Sequence, residues 1–101
     1  MKPPIPIEPG RVVCSKAGRD AGRAMIVLAL DGAEYALVAD GRLRTVEKPK
    51  RKKFKHLSAK PVCDRNVQEK LSGNAPLLDA EVRAALERAG YGRPNPPPEE
   101  G

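Results

Sequence analysis

The densest concentration of charge in the sequence lies near its middle. From Lys48 to Lys55 the chain reads Lys-Pro-Lys-Arg-Lys-Lys-Phe-Lys, so six of eight residues are cations, and His56 follows directly. Like charges held this close repel one another by a few tenths to about 1 kcal/mol per exposed pair, and counterions or a bound polyanion relieve that repulsion. The run therefore predicts a phosphate-binding surface, with a solvated basic loop as the alternative.

Further cations flank a glycine-containing loop and the strand-like segments beside it. Gly18 and Gly22 bracket the loop, where glycine permits positive φ angles or a close approach to a sugar-phosphate chain. Arg19 offers a planar fork suited to phosphate or to a base edge, and a plain glycine turn is the alternative. The candidate RNA-binding residues are Lys16, Gly18, Arg19, Gly22, Arg23, Arg42, Arg44, Lys48, Lys50, Arg51, Lys52, Lys53, Lys55 and His56.

Aromatic residues are scarce, since only Tyr35, Phe54 and Tyr91 are present. Phe54 and His56 lie in or beside the basic run, and either ring type can stack on an unpaired base. For Phe54 a place in the core is favoured over stacking. So few rings predict limited reading of base sequence, and they argue against an aromatic cage for methyl-lysine.

The residue types that carry catalysis are poorly represented. His56 is the only histidine, which excludes a metal site built on several histidines. Asp20, Asp31 and Asp40 fall in turns, where aspartate bonds the local backbone. The Gly18–Gly22 segment lacks the Lys-Ser/Thr pair of a nucleotide-binding loop. We therefore expect no enzymatic activity, no cofactor and no metal.

Composition limits the class of protein. The 101 residues carry a formal net charge of +6, which suits one small domain with a polyanionic partner. The longest apolar run, Ala24 to Leu30, is far shorter than the roughly 20 residues of a membrane-spanning helix. We expect no membrane association and a cytoplasmic location, where Cys14 and Cys63 would be reduced, structural or incidental thiols.

Short β-prone runs separated by turns fill the first part of the chain, which predicts a meander or small barrel. Asp31-Gly32 and Asp40-Gly41 are hairpin-turn dipeptides, so the strands on either side of each should be neighbours. The last strand is expected to close the barrel. The predicted strands are Arg11–Ala17, Arg23–Leu30, Tyr35–Ala39, Leu43–Val46 and Phe54–Leu57.

Two helices are predicted after the strands. Asp64 can cap the first, with Val67 and Leu71 on one face and Gly73 at its end. The second is predicted from Asp79 to Ala89, with Asp79 as its cap and an apolar stripe packed against the barrel. The predicted organisation is a flexible proline-rich leader (1–9), a barrel (10–59), short helices packed on it (60–91) and a flexible tail (92–101).

The segment Gly10-Arg-Val-Val-Cys-Ser-Lys-Ala-Gly-Arg-Asp-Ala-Gly-Arg, together with the apolar run that follows and Tyr35-Ala-Leu-Val-Ala-Asp-Gly, resembles the KOW motif. Gly22 would be its hallmark glycine. The likeness extends through Leu43-Arg-Thr-Val to His56-Leu57 and is to KOW ribosomal proteins of the archaeal and eukaryotic large subunit and to bacterial stand-alone KOW proteins.

This resemblance implies a mainly β fold, a small SH3-like barrel of KOW type with one or two C-terminal helices. It also implies that the first loop and the basic strands touch ribosomal RNA, through Lys16, Arg19, Arg23, Arg44 and the Lys48–Lys55 run. It implies no cofactor and no reaction.

Three function classes remain open from the sequence. The first is non-catalytic binding of ribosomal or other structured RNA through a basic barrel face. The second is a protein-interaction module that docks on the translation or transcription machinery. The third is general binding of duplex DNA, for which no recognition helix is apparent. The oligomeric state is left open.

Overall fold

The computed structural model describes residues 5–16 and 21–91. In this part of the chain a five-stranded antiparallel sheet is followed by two helices. A 3-10 turn, Phe54–His56, separates the last two strands. The elements are β1 (Arg11–Ser15), β2 (Ala24–Asp31), β3 (Tyr35–Ala39), β4 (Lys50–Lys53), β5 (Leu57–Cys63), α1 (Arg65–Ser72) and α2 (Asp79–Arg88).

The sheet is open, with strand order β4-β3-β2-β1-β5. The expected closure into a barrel is not seen, because β4 and β5 form the two edges of the described sheet. The sheet is nevertheless strongly curled, since Lys52 on β4 hydrogen-bonds Ser15 on β1 at 2.9 Å. In a flat sheet these strands would stand three spacings, or about 14 Å, apart.

The first three predicted strands are confirmed with small changes of boundary, and β3 has the predicted limits. The predicted strand Leu43–Val46 is wrong, because this segment is an irregular loop. The Asp40 carboxylate accepts hydrogen bonds from the amides of Arg42 and Arg44, both at 2.9 Å, and this turns the chain away from the sheet. The fourth strand instead begins at Lys50.

The predicted fifth strand, Phe54–Leu57, is also wrong for most of its length. Phe54–His56 forms the 3-10 turn, and β5 starts at Leu57 and continues to Cys63. Residues 60–63 therefore belong to the sheet rather than to the helical segment. Two cross-strand pairs, Ser15 with Leu57 and Arg11 with Cys63, show that β5 runs along β1.

Each face of the sheet carries its own apolar core. The inner face, which the curl encloses, packs residues of all strands except β4: Val13, Met25, Val27, Ala36, Val38 and Leu57. The outer core joins two strand residues to the helices: Val12, Ile26, Val67, Val82, Ala85 and Leu86. The helices thus cover the β1–β2 part of the outer face, as expected from the apolar stripe of α2.

A β-bulge in β2 changes which side chains face outward. The register passes from the Val27–Val38 pair to the Ala29–Leu37 pair, so one extra residue stands in β2. Such a bulge reverses the alternation of side chains beyond it. As a result Asp31 lies beside Tyr35 on the outer face, at the end of the sheet.

Both predicted helices form, with one difference at a cap. Asp64 caps α1 as predicted, its carboxylate accepting from the Val67 amide at 3.0 Å, and Gly73 ends the helix. Asp79 does not cap α2. Its carboxylate accepts instead from the Val46 amide at 2.7 Å, and Glu81 accepts from the Leu78 amide at the helix start.

The loop between β3 and β4 rests directly on α2. Arg83 donates to the Gly41 carbonyl at 2.6 Å. Gly41 has φ +78°, and a Cβ there would lie 2.5 Å from the Asp79 carbonyl oxygen. Glycine is therefore required by both the backbone angle and the close packing.

Part of the predicted leader belongs to the folded domain. Ile7 packs against the inner core, and the Pro9 carbonyl accepts from the Gln68 side chain at 3.2 Å. The rest of the leader, residues 1–4, and the predicted tail, residues 92–101, lie outside the described residues. No helix in the described ranges is long and apolar enough to cross a membrane.

Candidate nucleic-acid interface

The middle of the basic run, Lys50–Lys53, forms β4, an edge strand paired on one side with β3. Because side chains alternate along a strand, its cations are divided between two faces. Lys53 stands opposite Tyr35 and Arg51 opposite Leu37, on the outer face. Lys50 and Lys52 lie on the inner side, opposite Val38 and Ala36. The run is therefore not a single cationic face.

On the outer face, Arg51 is held between an aromatic ring and a carboxylate. Its guanidinium carbon lies 3.7 Å from the centre of the Tyr35 ring, and its Nε donates to the Asp31 carboxylate at 2.7 Å. Lys53 Nζ is 5.8 Å from the same ring centre. The Arg51 side chain is still 56% exposed, so a partner can reach it.

Lys52 differs from the other cations of the run because it is buried, with 8% of its surface exposed. Its ammonium donates to the Ser15 hydroxyl, which is buried as well. The sequence predicts Lys52 as an RNA contact, but its ammonium points into the sheet interior. We therefore assign it to the fold and leave it out of the exposed surface.

The remaining cations of the run lie at the surface. Lys48 and Lys50 are exposed, Lys55 is exposed on the 3-10 turn, and His56 is half-buried. The Lys16 amide donates to the His56 carbonyl at 2.8 Å, which joins the end of β1 to this turn. Exposed Lys16 therefore follows β1 beside the turn that carries Lys55.

Three further predicted cations, Arg23, Arg42 and Arg44, form a separate group around Asp40. Arg23 pairs with the buried Asp40 carboxylate at 3.4 Å and is itself only 18% exposed. Arg44 is half-buried, whereas Arg42 is exposed. Asp40 therefore organises the turn, as the sequence predicts, and Arg42 is the most accessible of the three arginines.

The glycine loop is described only at its end. Gly22 is exposed at φ +85°, and its amide donates to the Ser15 carbonyl at 2.8 Å. Of the two uses expected of this glycine, a positive φ angle or a close backbone approach, the structure shows the positive φ. Gly18 and Arg19 lie outside the described residues.

Phe54 packs against the inner core, which confirms the preference for a core position over base stacking. The aromatic residue that does meet the cations is Tyr35, for which the sequence predicts a strand position but no binding role. Side chains alternate between the two faces of a strand, so the pairing of β4 with β3 places Arg51 and Lys53 on the same face as Tyr35. This placement could be predicted from the sequence only if the start of β4 at Lys50 were known.

Thiols and carboxylates are among the side chains that a metal site requires. In the part of the chain that is described, no group of three or more His, Cys, Asp or Glu side chains is arranged to hold a metal ion. Cys14 and Cys63 are both free. Burial raises the pKa of each thiol, opposed by Lys60 at Cys14 and by Arg11 at Cys63.

No protein-family model matches the chain.

Proposed function

We propose that this protein is a non-catalytic RNA-binding module that contacts phosphates of structured RNA through the exposed cations on and around β4. The observation that carries the proposal is the concentration of exposed Lys48, Lys50, Arg51 and Lys55 within one short segment at a sheet edge. Cations concentrated in this way bind polyanions by releasing condensed counterions.

Lysines on an edge strand also have a purely structural use, because they discourage pairing with another sheet. That use explains Lys50 on β4 itself. It does not explain Lys48 before the strand, Lys55 on the 3-10 turn, or Lys16 on the adjoining end of β1. Exposed cations on three neighbouring segments support binding rather than edge protection alone.

We further propose that the fold is an SH3-like module of KOW type. The antiparallel meander of β1 to β4, the pairing of β5 with β1 and the curl of the sheet support this proposal, with the sheet left open between β4 and β5. By this proposal the RNA is ribosomal and the protein works in the cytoplasm, on or near the translation machinery.

Docking on a protein of the translation or transcription machinery is the second candidate. The observation that favours it is the edge of β4 that faces away from β3, which pairs with no strand among those described. Such an edge can accept an extended peptide as an added strand. This candidate predicts binding through backbone groups, with little dependence on the lysine charges.

The test is an anisotropy titration of a labelled, structured RNA at several salt concentrations. We expect Lys50→Gln/Lys55→Gln to weaken binding and to reduce the slope of log affinity against log salt by about 0.7 to 0.9 for each phosphate that the variant no longer neutralises. Both residues are exposed, so the folded structure should persist.

The matched control lowers the net charge by the same two units at one exposed position of α1, as Arg65→Glu. This variant should retain nearly the wild-type affinity and slope. An equal loss in both variants would mean that net charge alone drives binding. Tighter binding to duplex DNA than to RNA would favour the DNA alternative, and the absence of RNA binding by the wild type would overturn the proposal.

A further inference from the structure

The outer face of the sheet presents two cross-strand rows that the helices leave open. One row runs through Asp31, Tyr35 and Lys53, and the next through Ala29, Leu37 and Arg51. Arg51 reaches diagonally from the second row to the first, where it meets both the ring and the carboxylate. The bulge in β2 makes this possible by placing Asp31 on the outer face.

The two contacts of Arg51 fix the plane of a delocalised cation. With its carbon 3.7 Å from the Tyr35 ring centre, the guanidinium lies against one face of the ring, and the Asp31 bond at 2.7 Å restrains its rotation. Guanidinium planes stack on nucleobases as they do on aromatic rings. Since 56% of the side chain remains exposed, a second flat group can approach it.

We infer that Arg51, seated on Tyr35 and oriented by Asp31, is a stacking platform for an unpaired base. Lys53, in the same row as Tyr35, is placed to contact the phosphate of that nucleotide. This inference rests on the proposed function and makes it more specific, because the preferred ligand becomes an RNA helix interrupted by a bulged or looped base rather than any phosphate backbone.

An ion pair this exposed contributes little to folding, so the arrangement is not required for stability. A lysine would supply the same charge for phosphate contacts, but it lacks the plane on which a base stacks. A comparison of wild type with Arg51→Lys therefore distinguishes a residue that stacks on a base from one that only supplies a positive charge.

The experiment compares wild type with Arg51→Lys on two RNA hairpins that differ by one bulged 2-aminopurine. We expect wild type to bind the bulged hairpin more tightly and to quench its fluorescence. Arg51→Lys should lose about fivefold or more of that affinity, as expected for one stacked base, together with the quenching. Its affinity for the fully paired hairpin should be nearly unchanged. Tyr35→Leu, which removes the ring beneath Arg51, should behave in the same way.

Arg65→Lys is the control, because it makes the same exchange at an exposed position on α1, outside the proposed RNA-binding segment, and should change neither readout. Equal binding of both hairpins by wild type and by Arg51→Lys, with unchanged fluorescence, would overturn the platform and leave RNA binding intact. Binding of neither hairpin by the wild type would overturn the proposed function as well.

Discussion

The ammonium of Lys52 donates a hydrogen bond to the hydroxyl of Ser15 at 2.9 Å, across the enclosed face of the sheet. The two residues belong to strands that two other strands separate. This bond therefore links β4 to β1 across the curl of the sheet. It also explains why one lysine of a continuous basic run is removed from the surface.

Ser15→Ala should lower the free energy of unfolding by about 1.5 to 3 kcal/mol, because a hydrogen bond to a charged donor is removed. Urea denaturation measures this change.

Lys52→Met should also be destabilising, yet it should alter RNA affinity less than loss of an exposed lysine does. Lys50→Met makes the same exchange at the surface and should change stability by only about 0.5 kcal/mol. Equal stability of the two methionine variants would contradict the assignment of Lys52 to the fold.

Gly41 and Gly32 offer a matched pair for testing how the β3–β4 loop packs on α2. Their φ angles are +78° and +77°, but a Cβ at Gly41 would lie 2.5 Å from the Asp79 carbonyl, whereas nothing lies within 4 Å at Gly32. Gly32→Ala should cost about 1 to 2 kcal/mol for backbone strain alone. Gly41→Ala should cost a further 1 to 3 kcal/mol, roughly, for overpacking. Similar unfolding midpoints for both variants would argue against a close contact between the loop and the helix.

Glu81 gives the fold a dependence on acid pH. The hydrogen bond from Lys70, followed by that from the Leu78 amide, lowers the pKa of this carboxyl below its ordinary value of 4.5. A lowered folded-state pKa stabilises the protein above the unfolded value, and this contribution is lost as pH falls through the folded value. Glu81→Gln should therefore lose stability near neutral pH and show a flatter decline below about pH 5. Thermal melting across that range tests it, and a decline as steep as that of wild type would count against the role of Glu81.

The two cysteines should behave as slow, unpaired thiols. Burial raises the pKa of both Cys14 and Cys63, so less reactive thiolate is present near neutral pH. Alkylation of the folded protein should be much slower than that of the urea-unfolded protein, with both thiols modified in the unfolded form. Rapid modification of the folded protein would show that the thiols are activated rather than protected.

Local patterns are sufficient to predict several elements. Tyr35–Ala39 lies between two turn dipeptides, and Asp64 precedes an amphipathic run, so the limits of β3 and the cap of α1 depend on neighbouring residues alone. The segment Leu43–Val46 is mispredicted because the Asp40 carboxylate turns the chain and because Asp79, more than thirty residues later, accepts from the Val46 amide. Local propensity contains no information about such a contact.

The sequence predicts which segment contains the cations of the candidate site, but it does not predict where their side chains lie. The basic run identifies the segment, while the division of its cations between two faces depends on the register of β4 against β3. The meeting of Arg51 with Asp31 further requires the bulge in β2, which no local turn signal marks. Burial of Lys52 depends on the curl of the whole sheet, a property of the tertiary fold.

Ultraviolet crosslinking in the native cells, followed by sequencing of the bound RNA and identification of the crosslinked peptide, tests the central claim most directly. We predict enrichment of structured ribosomal RNA, crosslinks in the Lys48–His56 segment, sedimentation with ribosomal particles, and a reduction of all three in Lys50→Gln/Lys55→Gln. Recovery of no RNA above the level of that variant, with the protein sedimenting instead with a protein partner, would contradict RNA binding and favour the docking module.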